Sequence, residues 1–129
     1  MKNIKKFIVA IDQGTTSSRA ILFSTSGKPV YKSQLEFKQY FPKNGWVEHN
    51  PQEIWITTKK VLLNVINESK KLKGKILTIG IANQRETTIL WDKKTSKPIY
   101  NAIVWQDRRT ADFCKKFKTN KRERIINKK

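Results

Sequence analysis

Residues 11–23 read IDQGTTSSRAILF, in which one carboxylate, one glycine, four consecutive hydroxyl side chains and one arginine interrupt an otherwise apolar stretch. The segments on either side of the interruption are residues 7–11 and 19–23, and both have the composition of β-strands. Gly14 permits a tight turn between them. The stretch therefore predicts a β-hairpin with a polar tip.

The polar tip has the residue types of a phosphate site. Asp12 directly follows the first apolar run, where a carboxylate can hold Mg²⁺ directly or through water. Arg19 adds a planar cation. The amides and hydroxyls that can line a phosphate-binding concavity belong to Thr15, Thr16, Ser17 and Ser18. Hairpins whose hydroxyls bond their own backbone have the same composition, and no Walker A or G-x-G-x-x-G pattern occurs, so the residues alone leave both interpretations open.

The most clearly predicted helix begins after Asn50. An asparagine N-cap, Pro51 at the first helical position and Glu53 at the third are the start signals of a helix. Apolar residues then recur at intervals of three and four through about Leu72, which predicts one buried face. These residues are Ile54, Trp55, Val61, Leu62, Val65 and Ile66.

The other segments predict strands on both sides of this helix. Further strands are predicted at residues 30–37, 76–82, 87–91 and 103–105, and a second helix at residues 108–118. The order is βββ-α-ββ-β-α, with neither an internal repeat nor a linker rich in proline, glycine and serine. We therefore expect residues 1–129 to form one α/β unit, a mixed sheet with flanking helices.

The net charge of +18 arises from 28 Lys and Arg against 10 Asp and Glu. Most of the lysines are spread over many segments, without a recognisable nucleic-acid-binding module, which is typical of a solvated basic surface. Only residues 115–129 are densely basic, and nucleic-acid binding through them is an alternative that we rank low because they offer no series of aromatic residues for base stacking. We expect no nucleic-acid partner.

Single residues and short apolar runs exclude several other classes of protein and of site. Cys114 is the only cysteine, which excludes a disulfide within the chain and a cysteine-rich zinc site. His49, the only histidine, lies in a predicted loop and has no assigned catalytic role. The first apolar run is too short for a signal peptide, and no run approaches the roughly 20 residues of a membrane span. We expect a cytoplasmic protein without a membrane partner.

Four segments together resemble the glycerol kinases within the FGGY carbohydrate kinases. They are DQGTTSSRAI (12–21), GWVEHNPQEIW (45–55), IGIANQRETTILWD (79–92) and PIYNAIVWQDRRTADFC (98–114), in the order and spacing of that family. The resemblance implies a ribonuclease-H-like, actin-like ATPase fold in two domains, with ATP and a polyol in the cleft between them. The chain then corresponds to the N-terminal part of the first domain.

The resemblance also assigns roles to individual residues. It implies that Asp12 organises Mg²⁺, that Arg85 and Glu86 bind the hydroxyls of glycerol, and that Trp105 lies against the carbon backbone of glycerol. It places around the phosphates of ATP the residues Thr15, Thr16, Ser17 and Arg19. Of the other tryptophans, Trp46 and Trp55 are expected to be structural and Trp91 to lie in the core.

The resemblance further implies what these 129 residues lack. The family's general base, an aspartate, is expected beyond residue 129, together with the second domain. We therefore expect the isolated chain not to phosphorylate glycerol at a useful rate, and its partners to be glycerol and the remaining part of the kinase. Full-length members of the family are expected to form homo-oligomers. The alternative is a non-catalytic remnant of a truncated or split gene.

Overall fold

The computed structural model describes residues 4–119. Within that range the elements are β1 (Lys5–Gln13), β2 (Ser17–Ser24), β3 (Pro29–Glu36), β4 (Glu48–His49), α1 (Pro51–Lys71), β5 (Gly74–Ala82), β6 (Ala102–Ile103) and α2 (Ala111–Thr119). The basic segment proposed for nucleic-acid binding lies outside the described residues from position 120 onward.

The main sheet has four strands in the order β3-β2-β1-β5. The pairs β1/β2 and β2/β3 are antiparallel, whereas β5 pairs in parallel with β1 after the crossover through α1. The predicted mixed sheet and hairpin are therefore confirmed. Strand β1 is longer than predicted at its C-terminal end, so that Asp12 lies within the strand and opposite Arg19.

The hydrophobic core lies between one face of the sheet and helix α1. Alternate side chains of β1 point to that face, as the two-residue period of a strand requires. Together with β2 and α1 they form a buried cluster of Phe7, Val9, Ile11, Ala20, Leu22, Val61 and Val65. The core thus fixes the hairpin against the helix and leaves the hairpin tip at the edge of the sheet.

Helix α1 begins as predicted. The N-cap Asn50 has φ −78° and ψ 117°, and its side chain accepts a hydrogen bond of 2.9 Å from the backbone N–H of Gln52. Its apolar face is narrower than predicted, because the Trp55 side chain is 62% exposed. Burial is concentrated further along the helix, about two and three turns after Trp55, at Val61 and Val65.

The segment after β5 differs most from the prediction. Residues 87–91 form no strand and make only single bridges, from Thr88 to Ile103 and from Trp91 to Pro98. A tight turn follows, in which the Asp92 carboxylate accepts hydrogen bonds from the N–H groups of the second and third residues after it. Trp91 is 64% exposed, so its predicted place in the core is wrong.

A small second sheet replaces part of a predicted loop. Strand β4 pairs antiparallel with β6, which places Glu48 opposite Ile103 and His49 opposite Ala102. Helix α2 begins three residues later than predicted, because Asp107 and Arg109 are held in a turn before it. Within residues 4–119, neither helix combines the length and the apolar character needed to cross a membrane.

Candidate functional site

The hairpin tip is a short turn closed by backbone bonding. The N–H of Gly14 donates to the carbonyl oxygen of Ser17 at 3.0 Å. Within residues 4–119, the N–H groups of Thr15 and Thr16 have no hydrogen-bond partner. Two adjacent free amides at a turn are the arrangement that can accept an anionic oxygen.

The four hydroxyl residues of the tip do not share one environment. Thr16 is exposed, whereas Ser17 lies in β2 and its hydroxyl accepts a bond of 3.0 Å from the Gln34 amide. Ser18 is fully buried and its hydroxyl lies 2.8 Å from that of Thr57 on α1. The expectation that Ser18 helps to line a phosphate concavity is therefore wrong, because alternation along β2 turns its side chain toward the helix.

Asp12 and Arg19 form an ion pair across the hairpin. The bond uses Oδ2 of Asp12 and a terminal guanidinium nitrogen of Arg19, and both side chains remain 40% exposed. The Nε of Arg19 is buried and has no hydrogen-bond partner within the described residues. The hairpin therefore brings the predicted metal ligand and the predicted phosphate-binding cation into direct contact.

A cleft of about 380 Å³ opens beside the tip. Two separate parts of the chain form it, the end of β1 with its turn and the connection after β5, and Trp105 completes it. Its lining residues are Asp12, Gln13, Gly14, Thr15, Asn83, Gln84, Arg85, Glu86 and Trp105. The fold thus brings together five of the predicted site residues, whereas Thr16, Ser17 and Arg19 lie outside the lining of this cleft.

Arg85 and Glu86 occupy the wall opposite the tip. Both residues are exposed, and within residues 4–119 neither side chain has a hydrogen-bond or ion-pair partner. Glu86 has φ +54°, a left-handed conformation that is uncommon for residues with a side chain. Such conformations are concentrated at functional sites, where the strain is offset by the surrounding structure.

Trp105 joins the two walls of the cleft. Its indole N–H donates to the hydroxyl of Thr15 at 3.0 Å, across 90 residues of sequence. The side chain is 54% exposed, so a broad apolar surface remains open at the cleft. A flat aromatic surface beside polar groups suits a ligand that has both carbon atoms and hydroxyls.

Sequence reasoning missed a buried histidine behind the tip. His49 is fully buried, and its Nε2 lies 2.5 Å from Oε1 of Gln39, whose Nε2 donates to the backbone oxygen of Thr15 at 3.1 Å. Burial lowers the pKa of His49 below its usual value, and Gln84 partly offsets this effect. A neutral imidazole therefore supports the tip through Gln39. The only sequence signal was that the chain's single histidine lies two residues after the apolar Trp46-Val47 pair.

The residues at the cleft fit a magnesium ion that takes most of its ligands from water and from a bound phosphate. Residues 4–119 contain no group of three or more His, Cys, Asp or Glu side chains that could enclose a metal. Mg²⁺ commonly takes one or two carboxylates and completes its shell with water and phosphate oxygens. Asp12 lines the cleft and uses only Oδ2 for Arg19, which leaves Oδ1 for such a cation.

Comparison with known proteins shows which family the chain resembles. Residues 7–129 match the model of the FGGY family of carbohydrate kinases, N-terminal domain. The chain belongs to the FGGY family. Among curated proteins, a glycerol kinase of Parabacteroides distasonis is 56% identical over 124 residues, which cover 95% of this chain and 25% of the relative. The chain therefore spans about a quarter of the length of that relative.

Solved structures of a glycerol kinase and a gluconate kinase share the fold. The structure of Plasmodium falciparum glycerol kinase with ADP matches with a TM-score of 0.81 and 36% identity, over 88% of this chain and 23% of that one. Gluconate kinase from Lactobacillus acidophilus matches with a TM-score of 0.84 and 23% identity, over 97% of this chain and 25% of that one. The predicted actin-like α/β fold of a carbohydrate kinase is thereby confirmed.

Proposed function

We propose that this FGGY chain supplies the phosphate-binding hairpin and part of the glycerol site of an ATP-dependent glycerol kinase. In that reaction the γ-phosphate of ATP passes to a terminal hydroxyl of glycerol, which yields glycerol 3-phosphate and ADP. The observation that carries the proposal is that Asp12 and Thr15 line the same cleft as Arg85, Glu86 and Trp105. The similarity to curated glycerol kinases supports the choice of substrate.

The hairpin tip is proposed to bind the phosphates of ATP. The free amides of Thr15 and Thr16 and the guanidinium of Arg19 are donors, and Ser17 contributes a hydroxyl at the base of the tip. Asp12 would hold Mg²⁺, which neutralises phosphate charge when bound. Release of Arg19 from Asp12 toward the phosphates would then free the carboxylate for the cation.

The opposite wall is proposed to bind glycerol. The Arg85 guanidinium donates and the Glu86 carboxylate accepts, so the pair can fix two neighbouring hydroxyls by charge-assisted hydrogen bonds. Trp105 covers the carbon atoms of glycerol with its exposed face. The absence of competing partners for Arg85 and Glu86 among residues 4–119 supports this role, because both groups are free to bind a ligand.

We further propose that the 129-residue chain alone does not catalyse the phosphorylation of glycerol. Phosphoryl transfer depends on groups that position and stabilise the reacting atoms from all sides of a closed site. The chain spans about a quarter of the length of the curated Parabacteroides distasonis relative. We propose that the general base lies in the remaining part of the kinase. The working protein would be cytoplasmic, with the rest of the kinase as a partner and a homo-oligomer as its assembled form.

Glycerol binding by the chain tests the substrate proposal. Glycerol titrated into the ¹⁵N-labelled chain is expected to shift the indole signal of Trp105, and Arg85→Ala is expected to weaken that response about tenfold or more, since a hydrogen bond to a charged group is lost. Arg108→Ala is the matched control, because this exposed arginine lies outside the cleft. An equal response in Arg85→Ala and the native chain would contradict the assignment.

An activity assay tests the proposal that the chain alone does not phosphorylate glycerol. With Mg²⁺ and ATP, the native chain is expected to produce no glycerol-dependent ADP above the level seen with Arg85→Ala. Turnover that disappears in Arg85→Ala would mean that these residues assemble a working site by themselves, and the proposed need for the remaining kinase would be wrong.

A further inference from the structure

A buried charged cluster lies behind the cleft and takes no part in lining it. Its members are Glu48 on β4, Asp107 in the turn before α2, and Arg109, with side chains 2%, 3% and 16% exposed. Arg109 donates to Glu48 at 2.7 Å, and it donates to Asp107 through Nε at 2.9 Å and through a terminal nitrogen at 2.8 Å. One guanidinium thus bridges two carboxylates that lie 59 residues apart in the chain.

Further donors complete the cluster. Glu48 also accepts bonds from the hydroxyl of Tyr100 at 3.1 Å and from the amide of Asn101 at 3.0 Å. Asp107 accepts from the N–H of Val47 at 2.7 Å. Every oxygen of both carboxylates is therefore paired, which is the condition under which buried charges are tolerated.

Both carboxylates are held in the ionised form. The hydrogen bonds from Arg109 lower the pKa of Asp107 to about 2 in spite of its burial. Burial raises the pKa of Glu48, but the bonds from Arg109, Asn101 and Tyr100 outweigh it, so that the net shift is downward. The guanidinium of Arg109 also lies 3.8 Å from the centre of the Trp46 ring.

The cluster holds in place the turn that contains Trp105. The N–H of Asp107 donates to the carbonyl oxygen of Val104 at 2.8 Å, which closes a tight turn with Trp105 inside it. The first residue of that turn is fixed by a bond from the Val104 N–H to Val47, and the last is fixed by Arg109. Because Trp105 itself is about half exposed, its own packing does not determine where its ring lies.

We propose that Arg109, with Glu48 and Asp107, is a positioning clamp for Trp105. The clamp holds the turn at a distance from β1 at which the indole N–H reaches Thr15 and the ring forms one side of the cleft. Arg109 is not among the residues that line the cleft, and it acts through the turn. The clamp itself is independent of the ligand, and its effect on glycerol rests on the function proposed above.

The indole N–H signals of the ¹⁵N-labelled chain test the clamp directly. Trp105→Phe identifies the Trp105 signal. Arg109→Lys keeps the charge but loses the planar fork that bridges two carboxylates, so the Trp105 indole is expected to move and to exchange with solvent about fivefold faster, as loss of one hydrogen bond implies. The signals of Trp55 and Trp91 are expected to stay in place.

Arg108→Lys is the matched control, since the neighbouring arginine is exposed and is bonded to Gly45 only through its backbone N–H. An unchanged Trp105 signal in Arg109→Lys overturns the clamp. If Arg109→Lys unfolds the chain, so that all four indole signals converge, Asp107→Asn decides, because it retains an acceptor for Val47. Global unfolding in both variants overturns the proposal by making the cluster a general requirement of folding.

A glycerol titration separates this inference from the proposed function. If the native Trp105 signal does not respond to glycerol, the substrate assignment fails, whereas the ligand-free comparison of Arg109→Lys with Arg108→Lys still decides the clamp. If the native chain responds, Arg109→Lys is expected to weaken glycerol binding and to shift the signal of Thr15, because the Trp105 indole no longer reaches its hydroxyl. A response equal to that of the native chain would show that the turn does not need the clamp.

Discussion

The two walls of the cleft are built in different ways. The hairpin wall is formed by β1 and β2, whose inward side chains are buried in the core against helix α1. Ser18 of this wall is also hydrogen-bonded to Thr57 on α1. The opposite wall follows β5, whose apolar Leu77, Ile79 and Ile81 are 49%, 44% and 73% exposed. The difference indicates that folding of the core preorganises the hairpin wall, whereas the positions of Arg85 and Glu86 depend mainly on local backbone conformation.

Removing side-chain volume from the core beneath the hairpin wall should cause the largest loss of stability. Leu22 is fully buried on β2, so Leu22→Ala is expected to lower the free energy of unfolding by about 3 to 4 kcal/mol, measured by urea denaturation. Ile79→Ala on the exposed strand is the matched comparison and is expected to cost less than about 1 kcal/mol. Equal losses would contradict the asymmetry between the walls.

Two glycines of β5 sharpen the same comparison. A Cβ at Gly74 would lie 2.1 Å from Cε2 of the buried Phe7 ring, so Gly74→Ala is expected to destabilise the chain by about 2 kcal/mol through overpacking. At Gly80 a Cβ would meet no atom within 4 Å, and Gly80→Ala is expected to leave stability unchanged or slightly raised. Thermal unfolding of the two variants checks the difference, and similar melting temperatures would refute it.

The parts of this architecture with local signals were predictable. The hairpin, the N-cap at Asn50 and the period of α1 each lie within a short window, and the resemblance to FGGY kinases indicated which polar residues to examine. Residues 87–91 were predicted as a strand because their composition favours one, but no main-sheet neighbour pairs with them. Exposure of Trp55 and Trp91 depends on what packs over them, and an apolar pattern does not report that.

The polar networks could not be predicted for a different reason. Glu48 and Arg109 are 61 residues apart, and nothing in the sequence between them marks the contact. The same holds for the bond from Trp105 to Thr15 across 90 residues. Such pairs join residues that only the tertiary structure brings together, so local sequence patterns do not predict them.

Acid should weaken the support of the tryptophan side of the cleft. The pKa of Asp107 falls from 3.8 when unfolded to about 2 when folded, so its contribution is complete above pH 4 and is lost as the pH falls toward 2. The loss amounts to up to about 2 kcal/mol. Denaturation of the native chain and of Asp107→Asn is expected to give a stability difference that shrinks over this range. A difference independent of pH would contradict the ionised pair.

The smallest effect concerns the backbone of the opposite wall. Glu86→Gly removes the side chain from a residue at φ +54°, which is expected to relieve strain and to raise stability by less than about 1 kcal/mol, while glycerol binding is lost. Glu86→Gln keeps a side chain and therefore the strain, so it is expected to lose binding without the gain in stability. If Glu86→Gly instead lowered the melting temperature, the left-handed conformation would not be a site of strain, and this wall would be held as firmly as the hairpin.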